Sequence, residues 1–149
     1  MKKAFTLLEL MIVIIIVGVL ATLGLTQYQA VIERSRGAEA RQILGALRSQ
    51  CAAIYMNDGD ADNCINTNLG IGTANDQIPG PALANCRDSH YFYYTAVPSA
   101  TPATSATFTG TRCSAGGRAP NAPVVGRNIT LTTDYSAGGT DAWGGNYGY

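Results

Sequence analysis

The chain has 149 residues, 13% of them charged and 46% hydrophobic, with a formal net charge of zero. That length suits one compact domain with an appendage and argues against two full domains. Neutrality argues against a nucleic-acid binder that relies on a strongly basic surface.

The first element lies at the N-terminus. Lys2 and Lys3, the only lysines, precede a run from Phe5 to Leu25 whose single charge is Glu9. At 1.5 Å per residue a helix over this run spans roughly 31 Å, about the hydrocarbon thickness of a bilayer. A buried helix of a soluble protein would need partner surface around its whole circumference, which the short, polar remainder does not supply. The reading is therefore a membrane span. Lysines before it and mixed charges after it (Glu33, Arg34, Arg36, Glu39) keep the N-terminus cytoplasmic and send the rest across. The run is longer than a secretory signal's apolar region, and Ala21-Thr22-Leu23 is a poor cleavage site of that type.

The helical pattern continues past Leu25. Ala40, Ile43, Leu44, Leu47, Cys51 and Ile54 trace one face, with Arg34, Arg41 and Arg48 at seven-residue intervals on the other side. No proline occurs before Pro79, and the first firm stop is Asn57-Asp58-Gly59-Asp60. One helix from about Thr6 to Met56, roughly 75 Å long, is predicted. Its first half is apolar all round and its second half amphipathic, so it needs two different partners. Gly18, Gly24, Gly37 and Gly45 mark bends or close packing, because glycine costs roughly 1 kcal/mol in a helix exposed to water.

From Asn57 to about His90 the chain is rich in Gly, Pro, Asn and Asp and reads as a long connecting loop. Strand signals follow over His90–Val97, Thr107–Arg112 and Asn128–Thr133. A Pro/Thr/Ala loop lies over Ser99–Ala106, and Ser136–Tyr149 forms a Gly-rich tail carrying Trp143. Three or four antiparallel strands packed over the Ala40–Ile54 face give an α+β architecture: a long N-terminal helix, membrane-spanning in its first half, with a small antiparallel sheet on its C-terminal half. The organisation is residues 1–4, a membrane and assembly half-helix over 5–25, an amphipathic half-helix over 26–56 and a globular head over 57–149.

Cys51, Cys64, Cys86 and Cys113 are even in number and lack the paired spacing that zinc requires; His90 is the only histidine. In an oxidising compartment they form two disulfides. Of three connectivities, Cys51–Cys64 with Cys86–Cys113 is favoured because neighbours in sequence close loops without knotting the sheet. Asp58-Gly59-Asp60-Ala61-Asp62-Asn63 begins like a calcium loop, but Asn63 and Leu69 stand where Gly and Glu are needed, so it reads as a solvated turn. Asp134 and Asp141 in the tail are a weaker calcium alternative. Asn128-Ile129-Thr130 matches a glycosylation acceptor placed on a strand, where it usually stays unmodified. No residues assemble an active site, no nucleotide motif is present, and the chain calls for no metal or other cofactor: it reads as a non-enzyme.

Lys2-Lys3-Ala4-Phe5-Thr6-Leu7-Leu8-Glu9-Leu10-Met11, running into the apolar helix, resembles the start of type IV pilins and type II secretion pseudopilins. The likeness covers about the first 30 residues closely and the rest only in architecture. It implies a four-residue leader cut by a prepilin peptidase between Ala4 and Phe5, with the new amine of Phe5 methylated. Ala4 departs from the family's usual Gly but keeps a small side chain, and the mid-helix proline of many pilins is missing, which leaves Gly18 and Gly24 as the soft points. A carboxylate within an apolar span calls for a partner. A neighbouring copy shifted along the axis places its Phe5 amine beside Glu9, the assembly role the resemblance assigns to this Glu. The alternative is a snorkelling or protonated carboxylate near the interface.

The resemblance implies a structural subunit, held in the inner membrane with its head outside and then drawn into a helical filament on the cell surface. Its partners are membrane lipid, copies of itself, the peptidase and an assembly machinery with a separate ATPase. The alternatives are a pseudopilin of a periplasmic pseudopilus, a minor pilin, or, as a different class, a membrane-anchored periplasmic binding domain.

Overall fold

The computed structural model describes residues 6–74, 76–83, 85–116, 118 and 126–147. The chain divides into two compact units, Met1–Ser35 and Arg36–Tyr149. Both hold part of one helix, α1, over Leu7–Asp58. Its bounds differ from the expected Thr6–Met56 by one and two residues, and the stop lies within the expected cluster. Gly59 adopts a φ of 84° and its amide donates to the carbonyl of Tyr55 at 2.9 Å, a left-handed cap that a side chain with Cβ adopts at a cost. In the first unit the helix runs unbroken through Gly18 and Gly24. Neither glycine has another group within 4 Å of where a Cβ would stand.

In the second unit Arg36–Asp58 of α1 packs against an antiparallel sheet of order β4-β5-β7-β8, with β4 over Phe92–Pro98, β5 over Ser105–Arg112, β7 over Asn128–Asp134 and β8 over Asp141–Gly145. The expected helix face is the buried one: Ala40, Leu44, Leu47 and Cys51 are fully inaccessible, and Ile43 and Ile54 pack at its margin. Strand alternation supplies the other side of the core. Phe92, Tyr94 and Ala96 of β4, Ala106, Phe108 and Arg112 of β5, and Ile129, Leu131 and Thr133 of β7 face inward. Register sets large against small: Tyr94 lies opposite Gly110, and Phe108 lies between Ala96 and Leu131. A Cβ at Gly110 would stand 3.0 Å from the Tyr94 ring and 3.8 Å from Leu44, so glycine there lets the ring lie over the strand.

The structure adds to and corrects the sequence reading in three places. The Gly-rich tail contains the fourth strand, β8, whose register to β7 runs from Asp141 opposite Thr133 to Gly145 opposite Ile129. The expected strand over His90–Val97 begins at Phe92, with His90 buried ahead of it. The connecting loop holds a short parallel pair, β1 (Ile71–Gly72) with β2 (Ile78–Pro79), a 3₁₀ turn over Pro81–Leu83, and β3 (Asn85–Cys86), which pairs in parallel with β6 (Ala115–Gly116) beyond β5. Contacts from α1 hold β8 in place. Arg48 Nε pairs with Asp141 at 2.8 Å and Arg41 stacks on Trp143 at 5.4 Å, although an exposed ion pair contributes only about 0–1 kcal/mol.

Cys51 and Cys64 form a disulfide with a Cα–Cα distance of 5.3 Å, joining the buried face of α1 to the loop that follows it. Cys113 is also disulfide-bonded; the side chain of Cys86, its expected partner, lies outside the described residues. With Cys51 and Cys64 13 positions apart in sequence, the crosslink restricts the unfolded chain by about 3 kcal/mol. Replacing both by serine is expected to lower head stability by about 2–4 kcal/mol, read as the urea midpoint of Trp143 fluorescence. An unchanged midpoint would contradict it.

Tyr135 stacks on Tyr55 with ring centroids 5.5 Å apart, and its hydroxyl donates to the carbonyl of Arg48 at 3.2 Å. Burial pushes its pKa up to about 12, and burial raises that of Tyr94 as well. A phenol harder to ionise when folded stabilises the fold below its unfolded pKa near 10 and loses that contribution as pH rises towards the folded value. The head is thus expected to unfold on alkaline titration between about pH 10 and 12, with tyrosinate absorbance and loss of near-UV dichroism coinciding. Tyrosine ionisation completed near pH 10 without unfolding would contradict it.

Candidate functional site

The chemistry-bearing end of the chain is the start of α1. Thr6 precedes the helix, and its carbonyl accepts the first intrahelical bond from Leu10 at 3.3 Å. The amide and hydroxyl of Thr6 both donate to Glu9 Oε2 at 2.9 Å, and the amide of Glu9 donates back to Thr6 Oγ1 at 3.2 Å. This is a capping box: residues three apart each satisfy an amide that the first turn leaves without an intrahelical acceptor. The reason for a carboxylate here is therefore partly local. In an apolar medium each such unsatisfied amide costs several kcal/mol. Thr6 was not singled out in the sequence, yet the spacing Thr6-Leu7-Leu8-Glu9 ahead of an apolar run carries the signal.

Beyond the box, every large apolar side chain from Leu7 to Leu25 is 50% to 77% exposed, around the full circumference. Soluble monomers rarely carry a continuous apolar surface on this scale. The polar Thr22 within the run donates its hydroxyl to the carbonyl of Val19 at 2.8 Å, so it presents no free donor sideways. Among the described residues one helix is long and apolar enough to cross a membrane. Ala4 and Phe5, the expected cleavage and methylation residues, lie outside the described residues. Glu9 stands in the first turn of α1 and Cys51 on its buried face, while Cys64 and Cys113 lie buried in the head.

The remaining candidates are stitched into the fold. Asp58 accepts from the side-chain amides of Asn57 at 2.6 Å and Asn63 at 2.8 Å, which hold its carboxyl below the usual carboxylate range, Asn63 foremost. Asp60 accepts the amide of Asp62 at 3.0 Å, and Asp62 accepts that of Ala103 at 2.7 Å. These carboxylates order a turn, in line with its reading as a turn. Asp134 accepts the amide of Ser136 at 2.9 Å, which lowers its pKa. Asn128 and Asn146 exchange backbone-to-side-chain bonds of 2.8 Å and 3.2 Å, closing β7 on the end of β8. Gly145 there takes a φ of 106°, and a Cβ would run into the Asn128 carbonyl.

Residues 1–25 match the family model described as the prokaryotic N-terminal methylation motif. The chain is similar to the fimbrial protein of Neisseria meningitidis serogroup B, 38% identical over 76 residues that make up 51% of this chain and 44% of that protein. It is similar to the type IV major pilin protein PilE1 of Neisseria gonorrhoeae, 38% identical over 81 residues, 54% of this chain and 48% of the relative. It is also similar to the type IV major fimbrial protein FimA of Dichelobacter nodosus, 38% identical over 64 residues, 43% and 40% of the two chains. The chain spans less than half the length of each of these three relatives. No solved structure matches it.

Proposed function

We propose that this chain is a type IV pilin, a structural subunit of a pilus. It is made as an inner-membrane prepilin with a cytoplasmic N-terminus, cut between Ala4 and Phe5 by a prepilin peptidase, methylated on the new amine of Phe5, and drawn into a filament by machinery with its own ATPase. The observation that carries this reading is the start of α1: a Thr6–Glu9 box opening an apolar helix exposed on all sides. Such a helix is satisfied by lipid, and equally by copies of itself. Bundled in a filament it exchanges one apolar surrounding for another, while one contact repeated without closing builds an open fibre. The similarity to proteins named as major pilins and fimbrial proteins supports a filament subunit over a solitary anchored domain.

Intact mass of the membrane-extracted chain tests it. The expected species lacks Met1–Ala4 and carries one added methyl group, and it dominates fibres sheared from the cell surface. A chain that keeps Lys2 and Lys3 and stays out of such fibres overturns the reading.

A further inference from the structure

Charge is divided between the two ends of the sheet in the second unit. At the end where β4 begins, three guanidinium groups surround one ring: Arg36 lies 4.3 Å, Arg118 4.7 Å and Arg112 5.2 Å from the centre of Tyr91. Arg112 is fully buried and its Nη1 donates to the carbonyls of Tyr91 at 2.7 Å and Arg118 at 2.9 Å, so it holds the outer arginine's own carbonyl. The amide of Arg112 donates to Arg127 at 2.8 Å, and the carbonyl of Arg87 accepts from His90 next to Tyr91. Five of the chain's eight arginines thus belong to this end. The carboxylates beside them in the chain are Glu33, Glu39 and Asp88.

The opposite end has the reverse sign. Ala61 donates to the carbonyl of Ala103 at 2.7 Å and Asp62 accepts the Ala103 amide, which seats the turn after α1 beside the β4–β5 connection. That turn carries Asp58, Asp60 and Asp62; Asp134 ends β7 opposite Ser105. Neither Lys nor Arg occurs from Ser49 to Cys86. The last turn of α1 has no basic residue, so carboxylates add to the negative end of the helix dipole. A guanidinium fork matches a carboxylate in charge and geometry.

We propose that the Arg36–Tyr91–Arg118 end of one copy docks on the Asp58–Asp60–Asp62 end of the next. One end supplies the cations and the other the anions. The contact is therefore heterologous and repeats in one direction, giving the fibre a polarity set by the heads as well as by the apolar helices. This inference rests on the filament reading above.

The test uses the full chain in cells that assemble it, with sheared-fibre yield normalised to the processed membrane pool. Reversing one end, by Arg36→Glu with Arg118→Glu or by Asp58→Lys with Asp60→Lys, sets like charges face to face and is expected to lower yield about tenfold or more. Carrying all four reversals in one chain restores opposite signs and is expected to bring yield back to within about threefold of the unsubstituted chain. Should a reversed chain fail to accumulate, the milder Arg118→Gln and Asp60→Asn are each expected to lower yield about twofold, with a steeper loss on adding salt. A one-sided reversal that accumulates and assembles normally, or four reversals that recover nothing, overturns the docking while leaving the filament reading intact. Absence of fibres from the unsubstituted chain overturns the filament reading itself.

Discussion

Phe108→Ala is expected to destabilise the head by about 3–5 kcal/mol, at the upper end for a core truncation. Phe108 is fully buried on β5, a strand with neighbours on both sides. Its register partners on the core face are Ala96 and Leu131, and Ala106 and Gly110 flank it along the strand. Most of these neighbours are small and sit on backbones fixed by ladder bonds, so they move little into the space a benzyl group leaves. The residual cavity then adds to the lost transfer free energy. Trp143 is the chain's one tryptophan and lies on the edge strand β8, so its fluorescence follows sheet opening while the dichroism of α1 dominates the far-UV. The expected result is a fall in the fluorescence-detected Tm of roughly 6–20 °C. On the outer face of the same strand, Thr107→Ala removes a 3.0 Å bond to Thr132 between exposed hydroxyls and is expected to cost under about 1 kcal/mol. Equal losses at the two positions would mean that the sheet has no inner face.

The same strand shows why some of the fold was legible in the sequence and some was not. Thr107-Phe108-Thr109-Gly110-Thr111-Arg112 alternates, and the period of two that writes Phe108 inward also writes Arg112 inward. Sequence alternation identified the strand, but only the structure shows that Tyr91 and Arg118 meet the guanidinium there and make burial tolerable. The helix was legible almost to its ends because periodicity, lack of proline and a glycine stop all agree over its length. The strand over Asp141–Gly145 was not, since Asp-Ala-Trp-Gly-Gly has neither alternation nor β-branched residues and every side chain in it is exposed. It is a strand because β7 offers an edge and because Gly145 and the Asn128–Asn146 clasp turn the chain along that edge. Two-residue parallel pairs such as β1 with β2 leave no periodic trace at all.

Glu9 had a legible charge and an illegible neighbour, and separating the two gives the largest functional effect expected. Glu9→Gln keeps the capping box, because Gln at this position also accepts from the N-cap amide, but it removes the charge. Thr6→Val does the reverse, and Glu9→Ala removes both. The box is worth about 0.5–2 kcal/mol as a helix cap, whereas a carboxylate within an apolar span costs up to about 2.5–3.5 kcal/mol. Capping alone therefore does not offset the charge. The two bonds from Thr6 reach a single oxygen, Oε2, and an ionised carboxylate offers about four acceptor sites over its two oxygens. Acceptor capacity is left for the Phe5 amine of an adjacent copy. If that pairing drives assembly, Glu9→Gln and Glu9→Ala are both expected to cut sheared-fibre yield by about a hundredfold, at 1.4 kcal/mol per factor of ten. Leader removal continues in both, and Thr6→Val stays within a few-fold of the unsubstituted chain. Normal fibres from Glu9→Gln with a deficit in Thr6→Val would assign Glu9 to the helix start alone and remove counter-charge from the account of assembly.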